Sequence, residues 1–223
     1  MSVKKIWLTE NAEDLIVGMA RVSNPTFTFS FCSLDESKEK EQKEKVNNQR
    51  LLKYLIKNSH WSPFEMVNLC VEINTTRAIS AQIIRHRSFS FQEFSQRYAS
   101  VDVSTSSPFD LRSQDLKNRQ NSIDDIPEEK KEVLHKLIKE AEDKVYSVYE
   151  TLLKEGVAKE CARFILPMSS PTKIYMNGSI RSWIHYLKLR SGNGTQKEHL
   201  DIANAIIEIF KVDMPNLATI LEF

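Results

Sequence analysis

Glycine is scarce in this chain of 223 residues, which contains only 5. In the doubly wound nucleotide-binding folds, glycine-rich turns allow the backbone to approach a dinucleotide closely. The short segment Gly192-Asn193-Gly194 follows a predicted helix instead of a strand and lacks the rest of that fingerprint. We therefore do not expect a Rossmann fold.

Cysteine and metal-binding patterns are also sparse. The 3 cysteines, Cys32, Cys70 and Cys161, are widely separated, which indicates neither a disulfide framework nor a zinc-ligand pair. We expect them to be reduced thiols in the core. The 5 histidines show no pair at helical spacing with a carboxylate, so we expect no metal site.

Long apolar runs and an excess of charge are missing as well. No uninterrupted apolar run could span a bilayer, and Met1 to Ile6 is followed by no signal-peptide core. We expect a cytoplasmic protein with no membrane partner. Lys+Arg is 31 against Asp+Glu 30, so the broad basic footprint of a nucleic-acid-binding protein is lacking. The composition is that of an ordinary globular chain, and we expect one domain over residues 1–223.

Basic and aromatic residues are instead concentrated between Arg85 and Tyr98, in the sequence RHRSFSFQEFSQRY. The stretch contains three arginines and no lysine, and guanidinium forks match phosphate oxygens bidentately, whereas lysine supplies a point charge. Its interleaved aromatic rings offer stacking surfaces. The pattern favours an oxyanion ligand and predicts an active-site loop, with Ser95 as a phosphate ligand.

Three interpretations of this stretch stay open on local evidence. Thr75 to Ile84 predicts a helix with a threonine cap, so Arg85 to Arg87 could simply be cations favoured at a helix C-terminus. Single-stranded nucleic acid and a small nucleotide or dinucleotide cofactor both fit basic groups mixed with aromatic rings. The balanced charge of the whole chain favours the small anionic ligand.

Apolar spacing predicts the other elements. Strands are predicted at residues 6–8, 67–73, 98–103 and 172–177. One helix is predicted to begin at Asn11, a second to end near Asn58 and a third to end at Arg190. Three further helices are predicted over residues 127–155, 158–166 and 200–210. The helix after Pro127 is expected to bury a stripe that runs from Val133 to Leu152.

Two segments are predicted to vary, residues 24–48 and 102–126. The mixed-sign run from Asp35 to Lys45 is typical of a solvated helix face or a mobile loop. The polar segment from Ser104 to Asp125 could cover a site. Arg163 lies among apolar neighbours in the sequence, so we expect it to have an anionic partner.

The pattern of Arg85-His86-Arg87, seven further residues and Ser95 resembles the signature of the flavin-dependent thymidylate synthases, and Gln96-Arg97-Tyr98 extends the match. The resemblance covers most of residues 6–211 and fades over 24–48 and 102–130. Four more blocks come in the order found in that family: residues 20–23 (ARVS), 60–65 (HWSPFE), 160–167 (ECARFILP) and 181–190 (RSWIHYLKLR).

This resemblance implies an α+β fold with a central antiparallel or mixed sheet flanked by long helices, and a homotetramer whose subunits share active sites. It also implies methylation of dUMP to dTMP. Methylenetetrahydrofolate would donate the carbon, FAD would carry hydride and NADPH would be the reductant. No covalent nucleophile is implied: Cys32 and Cys70 lie outside the motif blocks, and Cys161, within residues 160–167, shares its predicted helix with Arg163. The scarcity of glycine fits a flavin held by side chains.

The resemblance assigns roles to individual positions. Arg190 is expected to activate the uracil, with Arg85 and the folate- or flavin-side His60 as further catalytic groups. Gln92 and Ser179 depart from the family, which commonly has Asn there. The expected dUMP ligands are Gln82, Arg85, Glu93, Phe94, Ser95, Arg97, Arg163 and Arg190. The expected FAD ligands are Ser23, Ser62, Glu65, Arg85, His86, Arg87, Ser88, Ser179, Arg181 and His185.

Two other hypotheses remain at this point. A nucleic-acid or nucleotide-binding module would use the same basic and aromatic stretch, and its affinity would fall steeply with salt. A family member that has lost its activity would keep the motif blocks without turnover.

Overall fold

The computed structural model describes residues 1–24, 38–102 and 109–223. The strands, in chain order, are β1 (Ser2–Leu8), β2 (Asn68–Thr76), β3 (Ser90–Glu93), β4 (Ser113–Gln114), β5 (Ser122–Ile123) and β6 (Pro171–Ser179). The helices are α1 (Ala12–Ala20), α2 (Lys38–Lys57), α3 (Arg77–Ile83), α4 (Glu128–Lys154), α5 (Lys159–Ala162), α6 (Ile180–Arg190), α7 (Lys197–Asp213) and α8 (Pro215–Leu221). Short 3-10 turns cover Ser62–Glu65 and Arg163–Ile165.

A sheet in the order β1-β2-β6-β3 lies at the centre, and its neighbouring strands are all antiparallel. β2 and β6 pair along their full length, from Asn68 opposite Ser179 to Thr76 opposite Pro171. β3 adds a short edge strand to β6, and the small hairpin of β4 and β5 stands apart from this sheet. The fold is therefore α+β, as expected from the sequence.

One face of the sheet forms the core because apolar side chains alternate along the strands. Leu69, Val71 and Ile73 of β2 are fully buried, as are Ile174 and Met176 of β6. They belong to one cluster with apolar residues of α1, α2, α3, α6, α7 and α8. The side chains that alternate with them on β6, such as Lys173 and Tyr175, point to the more exposed face.

Helix α6 connects this core to the region of the sequence signature. Trp183 and Tyr186 on α6 are fully buried, and Trp183 Nε1 donates a hydrogen bond to the carbonyl of Leu69 at 3.0 Å. Phe89, which follows the Arg-His-Arg motif, packs edge-on against Trp183 with ring centroids 4.7 Å apart. The motif is therefore held against α6 through an aromatic contact between two distant segments.

Most predicted elements are confirmed, although several are longer than predicted. β1 begins at Ser2 instead of Ile6, and α2 begins within the charged run, whose residues 35–37 lie outside the described part. The predicted strand at 98–103 is wrong, because residues 98–102 form a turn and an irregular segment and Val103 is not described. β3 takes that place beside β6, so the stretch from Arg85 to Tyr98 is only partly a loop. The C-terminal helix α8 was not predicted.

The predicted buried stripe on α4 is wrong for most of its members in the chain alone, although Tyr149 is buried as predicted. Val133 and Leu137 are 65% and 63% exposed, and within the described chain the buried residues of α4 are Lys131, Tyr146 and Tyr149. The helix packs mainly against α5 and the 3-10 turn after it. Periodicity alone therefore identified an apolar face without identifying what covers it.

The cysteine expectation is confirmed in part. Cys70 on β2 is buried, and this burial raises the pKa of its thiol. Cys161 on α5 is exposed, so it is not a core thiol. Cys32 lies outside the described residues. No helix in the described ranges is long and apolar enough to cross a membrane.

Gly178 offers a test of the contact between the sheet and the motif. A Cβ at this position would lie 2.5 Å from Cδ1 of Phe89, whose ring is held by Trp183 and Tyr186. Because the ring has little room to move, we expect Gly178→Ala to lower the free energy of unfolding by about 1–3 kcal/mol. Urea denaturation at fixed protein concentration measures the change.

Gly192→Ala is the matched control, since a Cβ there would meet its nearest heavy atoms at an ordinary 3.8 Å. Equal stability of the two variants would show that the ring of Phe89 moves aside freely.

Candidate active site

The Arg-His-Arg motif lies where α3 ends and the chain turns toward β3. Arg85, Arg87 and Ser88 are exposed there, whereas His86 between them is half-buried. Neither Arg85 nor Arg87 has an ion-pair partner among the described residues. Two guanidiniums are thus available to an anion at the C-terminal end of α3, beside the buried ring of Phe89.

His86 joins the motif to the end of α6. Arg190 Nε donates a hydrogen bond to His86 Nε2 at 3.0 Å, and the His86 ring packs edge-on against Tyr186 with centroids 4.8 Å apart. Burial, followed by the positive charge of Arg190 and of His185, lowers the pKa of His86 to about 4. His86 is therefore neutral near pH 7. Because a guanidinium can only donate, Nε2 is the acceptor and Nδ1 carries the proton.

A second histidine lies directly behind the first. His199 on α7 is fully buried, with Nε2 2.9 Å from the hydroxyl of Tyr186 and Nδ1 3.3 Å from Oε1 of Gln82. Burial, with Arg190 and His86, lowers the pKa of His199 to about 4, and burial raises the pKa of Tyr186. His199 and Tyr186, both neutral and hydrogen-bonded to each other, therefore connect α7 to the C-terminal half of α6.

Sequence reasoning missed the roles of His199 and Tyr186. A signal was available for His199, which precedes the buried Ile202 and Ala203 by three and four residues and so shares the apolar face of α7. A polar residue at such a position needs a partner inside the protein. The identity of that partner depends on α3 and α6, which the spacing within α7 does not reveal.

A cavity of about 500 Å³ lies beside the motif. It contains four of the expected FAD ligands, Glu65, Ser88, Arg181 and His185, and Arg181 donates a hydrogen bond to Glu65. The other lining residues, which the sequence analysis did not select, are Trp61, Ser182, Ile184 and Lys188. Arginine, lysine and hydroxyl donors next to an indole suit a ligand that carries both phosphate and an aromatic ring.

The remaining expected FAD ligands lie outside this lining. Ser62 begins the 3-10 turn that ends at Glu65, and Ser179 caps α6 by accepting a hydrogen bond from the backbone N–H of Ser182 at 3.3 Å. Ser23 is exposed on the turn after α1. His60, expected on the folate or flavin side, is exposed and packs edge-on against Tyr54 with centroids 5.7 Å apart.

Five of the eight expected dUMP ligands are divided between two regions. Gln82, Arg85 and Arg190 lie around His86 and His199. Arg97 pairs instead with Glu160 at 3.3 Å, and the guanidinium of Arg163 lies 5.9 Å from the centroid of the Phe164 ring. No hydrogen bond or ion pair between described residues connects these two regions, and the expected anionic partner of Arg163 is not found among them.

Glu93, Phe94 and Ser95 lie after the turn, at the end of β3. The Glu93 carboxylate accepts hydrogen bonds from Arg77, Ser80 and Thr172, so neighbouring side chains already bind it. Ser95 Oγ accepts from the backbone N–H of Arg97 at 3.4 Å. Phe94 lines a separate cavity of about 1080 Å³, in which it is the only expected ligand among the described lining residues. The greater volume of this cavity does not make it the better candidate, because the other expected ligands lie elsewhere.

Comparison of the sequence with known proteins places the chain in a family. The family model described as thymidylate synthase complementing protein matches residues 6–216. The chain is 46% identical, over the full length of both proteins, to a "Probable flavin-dependent thymidylate synthase" of Paramecium bursaria Chlorella virus 1. It is 45% identical to a "Flavin-dependent thymidylate synthase" of Synechocystis, over 95% of this chain and 90% of that protein. The chain belongs to the thymidylate synthase complementing protein family, which confirms the resemblance found in the sequence.

The buried histidine His199 generates a pH-dependent prediction. Because its pKa falls from 6.5 to about 4 on folding, the unfolded chain binds the extra proton between these values, and stability falls as the pH falls through this range. At pH 5 the cost is about 2 kcal/mol. We expect His199→Gln to lose less unfolding free energy between pH 7 and pH 5 than the unmodified protein, by about that amount.

The control is His135→Gln, which removes a half-buried imidazole on α4 whose Nε2 lies 3.0 Å from the carbonyl of Phe109. Urea unfolding of all three proteins at both pH values gives the comparison. An identical pH dependence in His199→Gln would show that protonation of this site costs nothing.

Proposed function

We propose that this protein methylates dUMP to dTMP, with methylenetetrahydrofolate as the carbon donor, FAD as the hydride carrier and NADPH as the reductant. Membership of the family and the names of the relatives support this proposal. The observation that carries it is the hydrogen bond from Arg190 to His86, two residues 104 positions apart. It brings the last sequence block of the resemblance into contact with the Arg-His-Arg signature.

The chemical problem is that C5 of uracil is a poor nucleophile. Arg190 ends α6 with its Nε–H bound to His86, so its position is fixed before the substrate arrives. A fixed cation beside a pyrimidine carbonyl stabilises the negative charge that develops as the ring becomes a carbon nucleophile. Cys70 is buried on β2, and neither it nor Cys161 lines the cavity beside the motif. We therefore assign activation of the ring to charge and hydrogen bonds, without a covalent enzyme nucleophile.

The cavity beside the motif suits the dinucleotide. Its volume of about 500 Å³ is in the range of small-molecule sites, and Arg181 and Lys188 outnumber the single carboxylate of Glu65. We propose that Arg181, Ser88 and His185 hold the phosphate-bearing part and that Trp61 offers a stacking surface. When bound and reduced, the flavin supplies the hydride that completes the methyl group.

A shared site in a homotetramer is part of the proposal. The two separate groups of expected dUMP ligands, one around Arg190 and one around Arg163, would meet if each pocket were built from more than one subunit. The exposed apolar side chains of α4, including Val133 and Leu137, supply a surface that a neighbouring subunit could cover.

The direct test is the absorption spectrum of the purified protein, followed under argon by addition of NADPH with and without dUMP. We expect a flavin spectrum that bleaches at a rate that depends on dUMP, and formation of dTMP once methylenetetrahydrofolate is added. A protein that takes up no FAD and makes no dTMP would contradict the proposal. Bleaching without dTMP would indicate a relative that has lost the methylation step.

Replacement of Arg190 tests the assigned activator. We expect Arg190→Ala to reduce the rate of dTMP formation on the order of 10²–10³-fold, the usual effect of removing one such donor, while most of the flavin absorbance remains. Lys211→Ala, which removes an exposed cation from α7, should leave both properties unchanged. Loss of the flavin from Arg190→Ala would show instead that the main role of Arg190 is to hold His86.

A further inference from the structure

A chain of side-chain hydrogen bonds joins α7 to α3 beneath the candidate site. Glu198 Oε2 accepts from Gln196 Nε2 at 2.8 Å, and Gln196 Oε1 accepts from Gln82 Nε2 at 2.6 Å. Gln82 Oε1 lies 3.3 Å from His199 Nδ1, and His199 Nε2 lies 2.9 Å from the hydroxyl of Tyr186. Gln82, an expected dUMP ligand, is therefore in the middle of a continuous series.

The direction of this series follows from the chemistry of its first member. An amide side chain keeps its shape when its oxygen and nitrogen exchange places, so its orientation must be set by its partners. An ionised carboxylate can only accept. Burial raises the pKa of Glu198, but hydrogen bonds, above all from Arg112, outweigh burial and leave the pKa below its ordinary value. Gln196 must therefore turn its NH₂ group toward Glu198.

The donor and acceptor atoms of each later group then follow from those of the group before it. Gln196 presents its oxygen to Gln82, so Gln82 donates with its nitrogen and turns its own oxygen toward His199. His199 must donate from Nδ1, which leaves Nε2 to accept from the hydroxyl of Tyr186. Burial raises the pKa of Tyr186, so this hydroxyl keeps its proton. All the members agree with the direction that starts at Glu198.

We propose that Glu198 is a positioning residue. Through Gln196, it fixes the orientation of the Gln82 amide, that is, the positions in which its oxygen and its NH₂ group are presented to the nucleotide. This inference rests on the proposed function, because it takes Gln82 as a ligand of dUMP. After its two contacts, Gln82 has one N–H and one lone pair left. A uracil ring offers carbonyl acceptors and the N3–H donor, so an amide turned the wrong way sets donor against donor. The direction of the series thus acts on recognition of the pyrimidine.

The two oxygens of Glu198 have separate partners, which makes the inference testable. Oε2 accepts from Gln196, whereas Oε1 accepts from NH2 of Arg112 at 2.7 Å. Arg112 also pairs with Asp110, so it belongs to a cluster of ion pairs around the start of α7. E198Q keeps the size of the side chain, but its amide oxygen must face the guanidinium of Arg112, which can only donate. Its NH₂ group then faces Gln196 and reverses the direction of the series. R112Q removes the ion pair, which lets burial raise the pKa of Glu198, so the variants are compared at pH 8, far above the ordinary pKa of a carboxyl, where Glu198 still only accepts.

The experiment compares the unmodified protein, E198Q and R112Q by solid-state NMR after labelling with ¹⁵N-histidine, with the His199 signals assigned from their absence in H199Q. We expect a proton on Nδ1 of His199 in the unmodified protein and in R112Q, and a proton on Nε2 in E198Q. We also expect E198Q to raise the KM for dUMP about tenfold, the effect of one misdirected hydrogen bond, with kcat changed by less than about twofold. R112Q should keep the original KM.

Several results would overturn the inference: a proton on Nε2 of His199 in the unmodified protein, an unchanged tautomer and KM in E198Q, or equal effects in E198Q and R112Q. The last result would mean that the ion pair matters and the direction does not. The tautomer is observed without turnover. A protein that makes no dTMP would therefore count against the proposed function, while the NMR result would still decide the direction of the series.

Discussion

The hydrogen bond between Arg190 and His86 is the contact on which the arrangement of the candidate site depends. It requires a neutral imidazole, and the protein provides one by enclosing the ring between Tyr186 and the guanidinium. A protonated His86 would have no lone pair for Arg190 and would repel it. Burial of the His86 ring therefore keeps it neutral. The neutral ring preserves the hydrogen bond that positions Arg190 and adds no second positive charge beside it.

That contact depends in turn on how the core holds α6. Trp183 donates a hydrogen bond to β2 and packs against Phe89, while the hydroxyl of Tyr186 is hydrogen-bonded to His199 of α7. The sheet, the motif and α7 thus meet at two aromatic residues that are three positions apart on α6. A site made from residues far apart in sequence needs such a rigid element to keep its members in register.

The sequence predicted the helices and strands better than it predicted the contacts between them. The signature from Arg85 to Ser95 is local and specific, and the strong alternation in β2 and β6 identified the central strands. β3 was not predicted, because its pairing is supplied by β6 and its own composition indicates no strand strongly. The bond from Gln82 to Gln196 joins residues 114 positions apart, which spacing within either helix does not reveal. The single domain, the individual ligand roles, the tetramer and the cytoplasmic location stay predictions.

Helix α4 has a consequence for how stability is distributed in the molecule. Its 27 residues extend about 40 Å, yet within the described chain three of them are buried. Helical hydrogen bonds far from a core open more readily than those inside it, because few packed side chains must move with them. In an isolated subunit, the backbone amides of α4 would therefore exchange with solvent much faster than those of the similarly regular α6. Whatever surface covers Val133 and Leu137 also sets the local stability of the longest helix in the described chain.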